Sequence, residues 1–113
     1  MTRLERRLAD AVLSACAPVA VLMFGSRARG QSSARSDADL LVVVETAPHG
    51  LINEIRDALS SLPIGVDIVL RTPAQVRAET TNPAGFLSTI LTGAIPLVLR
   101  DENTLEALLS KGK

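Results

Sequence analysis

The spacing of hydrophobic positions changes several times along this chain, and each change marks an element. Leu4, Leu8, Ala11, Val12 and Ala15 recur at helical intervals, with Arg3, Glu5, Arg6, Arg7 and Asp10 on the other side. Thr2 followed three positions later by Glu5 is a capping-box pattern, so the spacing predicts an amphipathic helix stopped before Pro18. Val19–Phe24 is short, continuous and partly β-branched, which predicts a buried strand, and Leu40–Val44 predicts a second. Pro48-His49-Gly50 marks a turn. Leu51, Ile52, Ile55, Leu59 and Leu62 then give another amphipathic helix, ended by Pro63 and Gly65. Ile64–Leu70 predicts a third strand with one charge, Asp67, among apolar residues.

Pro73 suits the first turn of a short helix running through Glu79, and Asn82-Pro83 suggests the start of another running through Phe86, Leu87, Ile90 and Leu91 to Gly93. Ile95–Leu99 predicts a fourth strand, placed at an edge by Pro96, and Leu105, Leu108 and Leu109 predict a last helix. The order is α-β-β-α-β-α-α-β-α, without repeats, linkers or low-complexity segments. These elements predict one α/β (α+β) domain over residues 1–113, with helices on a mixed sheet of about four strands.

Composition narrows the chemistry. Hydrophobic residues make up 47% of the 113 residues but aromatics only 2%, so the core is aliphatic and a base-stacking surface is not expected. Twelve basic and twelve acidic residues cancel, so bulk charge gives no support for direct nucleic-acid binding, and any recognition of phosphate has to be local. Cys16 is the only cysteine, which rules out an internal disulfide and a cysteine metal cluster. Leu13-Ser14-Ala15-Cys16 has the look of a lipoprotein cleavage box. The uncharged run before it starts only after Asp10, too short for a signal core of 7–15 residues. No run approaches the ~20 apolar residues of a membrane span. The expectation is a cytoplasmic protein without membrane contact, whose small size and apolar excess suit an oligomer or a complex.

The charges that remain unexplained lie in GSRARGQSSARSDADLLVVV, residues 25–44. Asp37 and Asp39 are two apart. If the strand has begun there, both side chains face one side, about 6.6 Å apart along the backbone. Two anions so placed repel unless something positive lies between them, and magnesium, a hard cation that keeps positions open for phosphates, is an economical choice. Asp67 is the candidate third ligand, because an unpaired carboxylate buried in an apolar strand is costly. Three carboxylates from two neighbouring strands can hold two metal ions ~3.5–4 Å apart. Each acid alone has a plainer reading: a solvated loop or cap for Asp-x-Asp, and solvent or an arginine partner for Asp67.

Gly25-Ser26 follows the first strand directly. Glycine permits close approach of backbone to a ligand, and Ser26 offers a hydroxyl and a following run of N–H groups that would suit a helix start. Arg27 and Arg29, with Arg35 as a third, could add guanidinium groups matched to phosphate oxygens. A simple turn with solvated arginines is the competing reading. A Walker loop is excluded, since no lysine occurs before Lys111, and Gly25-Ser26-Arg27 lacks the second glycine of a dinucleotide fingerprint. An Asp-x-Asp of the haloacid-dehalogenase kind belongs at a strand's C-terminal end, whereas here it precedes Leu40–Val44.

Gly25-Ser26, ten intervening residues, Asp37-x-Asp39 and the later in-strand Asp67 together resemble the minimal nucleotidyltransferases of the DNA polymerase β superfamily. The likeness in layout extends over most of the chain, and SRARG is also typical of the minimal members. The resemblance implies a mixed sheet with helices packed on one face. It implies catalytic and magnesium-binding roles for Asp37, Asp39 and Asp67, with two ions, and nucleotide binding by Gly25, Ser26, Arg27 and Arg29. It further implies transfer of a nucleoside monophosphate, AMP from ATP, to an acceptor hydroxyl. The acceptor it points to is a HEPN-type toxin encoded nearby, with this chain as antitoxin and protein adenylyltransferase. Asp67 is then the acid nearest the acceptor. No acceptor-binding segment is recognisable, so a partner chain must support the second substrate. The alternative is a module that neutralises a partner by binding alone.

The remaining residues of note have plain expectations. His49 belongs to an exposed turn, Cys16 packs as a small hydrophobe, and Arg3, Arg6 and Arg7 form a solvated helix face. Phe24 and Phe86 are expected in the core.

Overall fold

Local signals open two of the helices as the sequence predicts. The computed structural model describes residues 1–30, 37–101 and 103–109. Helix α1 (Arg3–Ala15) starts from a complete capping box, in which Thr2 accepts from the Glu5 N–H and Glu5 accepts from the Thr2 N–H. It buries Leu8, Ala9 and Val12 and leaves Arg3, Arg6 and Arg7 exposed. Strands β1 (Ala20–Phe24) and β2 (Ala38–Val43) follow, then helix α2 (Leu51–Leu59) and strand β3 (Val66–Arg71). Helix α3 (Pro73–Glu79) has a second capping box, between Thr72 and Gln75, with Pro73 at its first turn. Helix α4 (Phe86–Leu91), strand β4 (Ile95–Leu99) and helix α5 (Thr104–Leu109) complete the chain.

The α3 cap gives a first prediction. Thr72→Ala removes the acceptor for the Gln75 N–H and should cost about 1 kcal/mol in urea unfolding, while Thr72→Ser should cost much less.

The four strands form one mixed sheet in the order β3-β2-β1-β4. β1 runs antiparallel to β2 and β4, and β2 runs parallel to β3. A parallel pair needs a crossover, and α2 supplies it. On the β4 edge the register slips between Val21 and Leu22, opposite Pro96, which has no N–H to give to the ladder.

Side-chain alternation divides the core in two. Val21, Met23, Leu40 and Val42 pack against α1 and α2 through Leu8, Val12, Leu51 and Ile55. Ala20, Leu22, Leu41 and Val43 pack on the opposite face against Val76 of α3, Leu87 and Ile90 of α4, and Leu108 of α5. Helices therefore cover both faces, where the resemblance implied one. The reason is in the strands: β1 and β2 are apolar at odd and even positions alike, so neither face tolerates water. Among the described residues no helix is long and apolar enough to cross a membrane.

Three local expectations change. Asn82-Pro83 opens a turn, in which Asn82 accepts from the Ala84 and Gly85 N–H groups, so α4 starts only at Phe86. Phe86 is consequently 60% exposed and lies outside the core, whereas Phe24 packs half-buried against the second face. β3 begins at Val66, two residues after Ile64. His49 is exposed as expected, and Cys16 packs half-buried against the first face, where burial pushes its thiol up from the ordinary value.

Candidate active site

The strand directions bring three chain segments to one end of the sheet. β1 ends where β2 and β3 begin, because β1 is antiparallel to β2 and β3 is parallel to it. Phe24 pairs with Asp39, and Asp39 pairs with Asp67. Residues in register on neighbouring strands project to the same face, so Asp39 and Asp67 lie side by side, about 5 Å apart at the backbone. Asp37, two positions before Asp39, continues to that face. The pairing extends to its level through the Ala38 N–H, which donates to the Gly65 carbonyl at 3.0 Å. The three acids thus occupy one side of one sheet end, the side that carries Leu41 and Val43.

Asp39 is half-buried and Asp67 is exposed. The sequence argument for Asp67, an unpaired charge trapped among apolar neighbours, therefore does not hold: β3 is an edge strand, and the carboxylate reaches solvent. Its place in the set comes from its register with Asp39.

Two glycines make room for two of the carboxylates. Gly25 follows β1 with φ +79°, a conformation open to glycine and strained for other residues, and a Cβ built there would overlap Asp39 Oδ2. Gly65 lies across from Asp37, and a Cβ there would stand 2.8 Å from Asp37 Oδ1. In the sequence Gly65 carries only the signal of a helix terminator. The signal that could have found it is the repeated interval, Gly65-x-Asp67 beside Asp37-x-Asp39, once the two strands are set in parallel register.

Electrostatics ties the set together. The Asp39 carboxyl is raised above its ordinary value of 3.8, first by burial, then by the charges of Asp67 and Asp37, while Arg29 pulls it down. Asp39 therefore feels the charges of both other acids and of Arg29. Arg27 faces elsewhere: with Thr2, Leu4, Glu5 and Met23 it lines a recess of about 330 Å³ beside the start of α1. Arg35 lies outside the described residues.

Gly25-Ser26 does not open a helix within the described residues. Residues 25–30 form a hydrogen-bonded turn in which the Arg29 N–H donates to the Gly25 carbonyl and the Gly30 N–H to the Arg27 carbonyl, each at 3.2 Å. Arg29 thereby stays close to Asp39, at the end of β1.

The donor set suits a hard cation. Asp39 and Asp67 are oxygen donors on one face, and the repulsion that adds to burial in raising the Asp39 carboxyl is the kind a divalent ion relieves. Among the described residues no three acid, imidazole or thiol groups converge tightly enough to form a ready-made metal shell. Magnesium does not require one, since it commonly binds through one or two carboxylates together with substrate phosphates and water.

Comparison with known proteins agrees with this layout. No curated protein matches the chain. A solved structure described as "Crystal structure of the toxin-antitoxin with AMP-PNP" contains a chain of the same fold, with a TM-score of 0.68 and 19% identity; the match covers 95% of this chain and 82% of that one. The family model "Polymerase beta, Nucleotidyltransferase" matches residues 9–103, a span that holds β1, its Gly-Ser turn and all three carboxylates. With that span matched and the strands arranged as described, the chain belongs to the polymerase β nucleotidyltransferase family.

Proposed function

We propose that this chain is a magnesium-dependent nucleotidyltransferase that moves AMP from ATP to a hydroxyl of a partner HEPN-type toxin, and so acts as its antitoxin. The observation that carries this reading is the register of Asp39 with Asp67 on one sheet face, with Asp37 beside them and the Gly25-Ser26 turn at the end of the adjoining strand. Family membership supports nucleotidyl transfer, and the fold shared with a toxin–antitoxin structure containing AMP-PNP supports an adenine nucleotide and a toxin partner.

Each residue has a part. Asp37, Asp39 and Asp67 hold magnesium, which when bound offsets the negative charge of the triphosphate and of the attacking oxygen. The turn at Gly25-Ser26 brings backbone N–H groups and the Ser26 hydroxyl toward the phosphates, and Arg29 adds a guanidinium to them. Asp67, exposed on the edge strand, meets an acceptor arriving on another macromolecule and takes the proton of its hydroxyl. The oxygen then bonds to the α-phosphorus, the bond from that phosphorus to the bridging oxygen breaks, and pyrophosphate leaves.

The test is incubation with magnesium, α-labelled ATP and the toxin encoded beside the gene. Label should appear on the toxin with wild type and be lost with Asp37→Ala/Asp39→Ala. Neutralisation of the toxin by that double variant as well as by wild type would establish a binding-only antitoxin instead. Magnesium with ATP should also raise the melting temperature of wild type by several degrees, and chelation with EDTA should abolish the shift; a shift that survives EDTA contradicts the metal assignment.

A further inference from the structure

Gly65 is a glycine that its own backbone does not require. Gly25, Gly30, Gly50 and Gly93 have positive φ and Gly65 does not. It leads directly into β3, where glycine's conformational freedom is a cost on folding. What its missing side chain provides is space, and one group fills it. A Cβ at Gly65 would lie 2.8 Å from Asp37 Oδ1, 3.0 Å from Cγ and 3.2 Å from Oδ2. All three are atoms of a single carboxylate. The ladder sets this contact, because the Gly65 carbonyl holds the Ala38 N–H at 3.0 Å and so keeps Asp37 opposite the glycine.

We infer that Gly65 is a positioning residue for Asp37: its bare backbone lets the Asp37 carboxylate lie across the entrance of β3, on the face that carries Asp39 and Asp67, and a side chain there displaces it. The inference rests on the proposed function, in that it takes Asp37 to be a cation ligand. The displaced atoms are the end of a rotatable side chain, so Gly65→Ala should preserve the fold while moving the carboxylate.

The experiment measures manganese binding by electron paramagnetic resonance in the presence of a non-hydrolysable ATP analogue. Wild type, Gly65→Ala, Asp37→Ala and the double variant are compared, with ligand-free melting curves for each. Gly65→Ala should weaken binding about tenfold with little change in melting temperature, and should add nothing in the Asp37→Ala background. Equal binding by wild type and Gly65→Ala overturns the inference, as does a further loss in the Asp37→Ala background. A Gly65→Ala protein that melts far below wild type places the glycine's role in the fold and overturns it too. Wild type that binds no manganese overturns the site assignment and the inference together, and so is distinguishable from the other failures.

Discussion

Asp39→Asn is expected to slow the proposed AMP transfer about 10³-fold and, in the same protein, to raise the melting temperature by about 2 °C. Both effects come from one cause. Asp39 is partly buried and stands in register with Asp67, with Asp37 two residues away, and each neighbour's charge raises the free energy of its ionised form. A carboxyl whose folded-state value is raised binds its proton more readily in the folded chain than in the unfolded one. The ionised form therefore costs stability above the folded-state value, and that cost vanishes as the pH falls below the ordinary value of 3.8. The advantage of the asparagine variant should accordingly be full near neutrality and fade on acidification. It is small because the side chain keeps some solvent, which screens the repulsion. The same asparagine lacks the charge that the proposed cation site requires. Melting curves at several pH values without ligand, paired with labelled-ATP assays, check both halves; an asparagine variant less stable than wild type at neutral pH contradicts the electrostatic account.

Gly25→Ala should be the most damaging single methyl group that can be added at the site. At φ +79° an L-residue is strained by about 1–2 kcal/mol, and the new carbon also overlaps the Asp39 carboxylate. Relief requires the turn or Asp39 to move, and either change spoils the site. We expect a melting temperature lower by about 5 °C and transfer reduced at least about 10²-fold. Gly30→Ala is the control: Gly30 has φ +71° but no described residue near its missing Cβ, so it should show the strain without the loss of nucleotide-dependent metal binding. Equal loss of that binding in both variants would show that backbone strain alone accounts for the effect.

Much of this fold was legible because its signals are local. Thr2 with Glu5 and Pro73 at the first turn of α3 mark helix starts within a few residues, and the apolar runs of β1 and β2 are too short and too continuous for anything but buried strands. Asn82-Pro83 misled for the opposite reason: the same residues serve a helix start and an Asx-type turn, and only the three-dimensional path of residues 82–85 decides between them. Phe86 followed that error, since a residue assumed to be mid-helix faced inward on paper and faces solvent in the structure.

The candidate site was legible as a set of residue types and spacings and not as geometry. Asp37, Asp39, Asp67, Gly25 and Ser26 stand out by type and spacing, but the parallel register of β2 with β3 is a long-range fact that no short window contains. Two conclusions waited on that register. Asp67 belongs to the set through its alignment with Asp39 and not through burial, and Gly65 has a carboxylate opposite it. The cover on both faces was in principle readable from the two-sided apolar character of β1 and β2, and was masked by the one-faced layout the resemblance implied.

The most direct test is a crystal structure with manganese and a non-hydrolysable ATP analogue, using anomalous scattering to locate the metal. The account predicts an anomalous peak at the shared entrance of β2 and β3, with carboxylate oxygens of Asp39 and Asp67 within about 2.3 Å of it and the triphosphate lying along the Gly25-Ser26 turn. Manganese bound to the phosphates alone, with Asp39 and Asp67 turned away from it, would contradict the account.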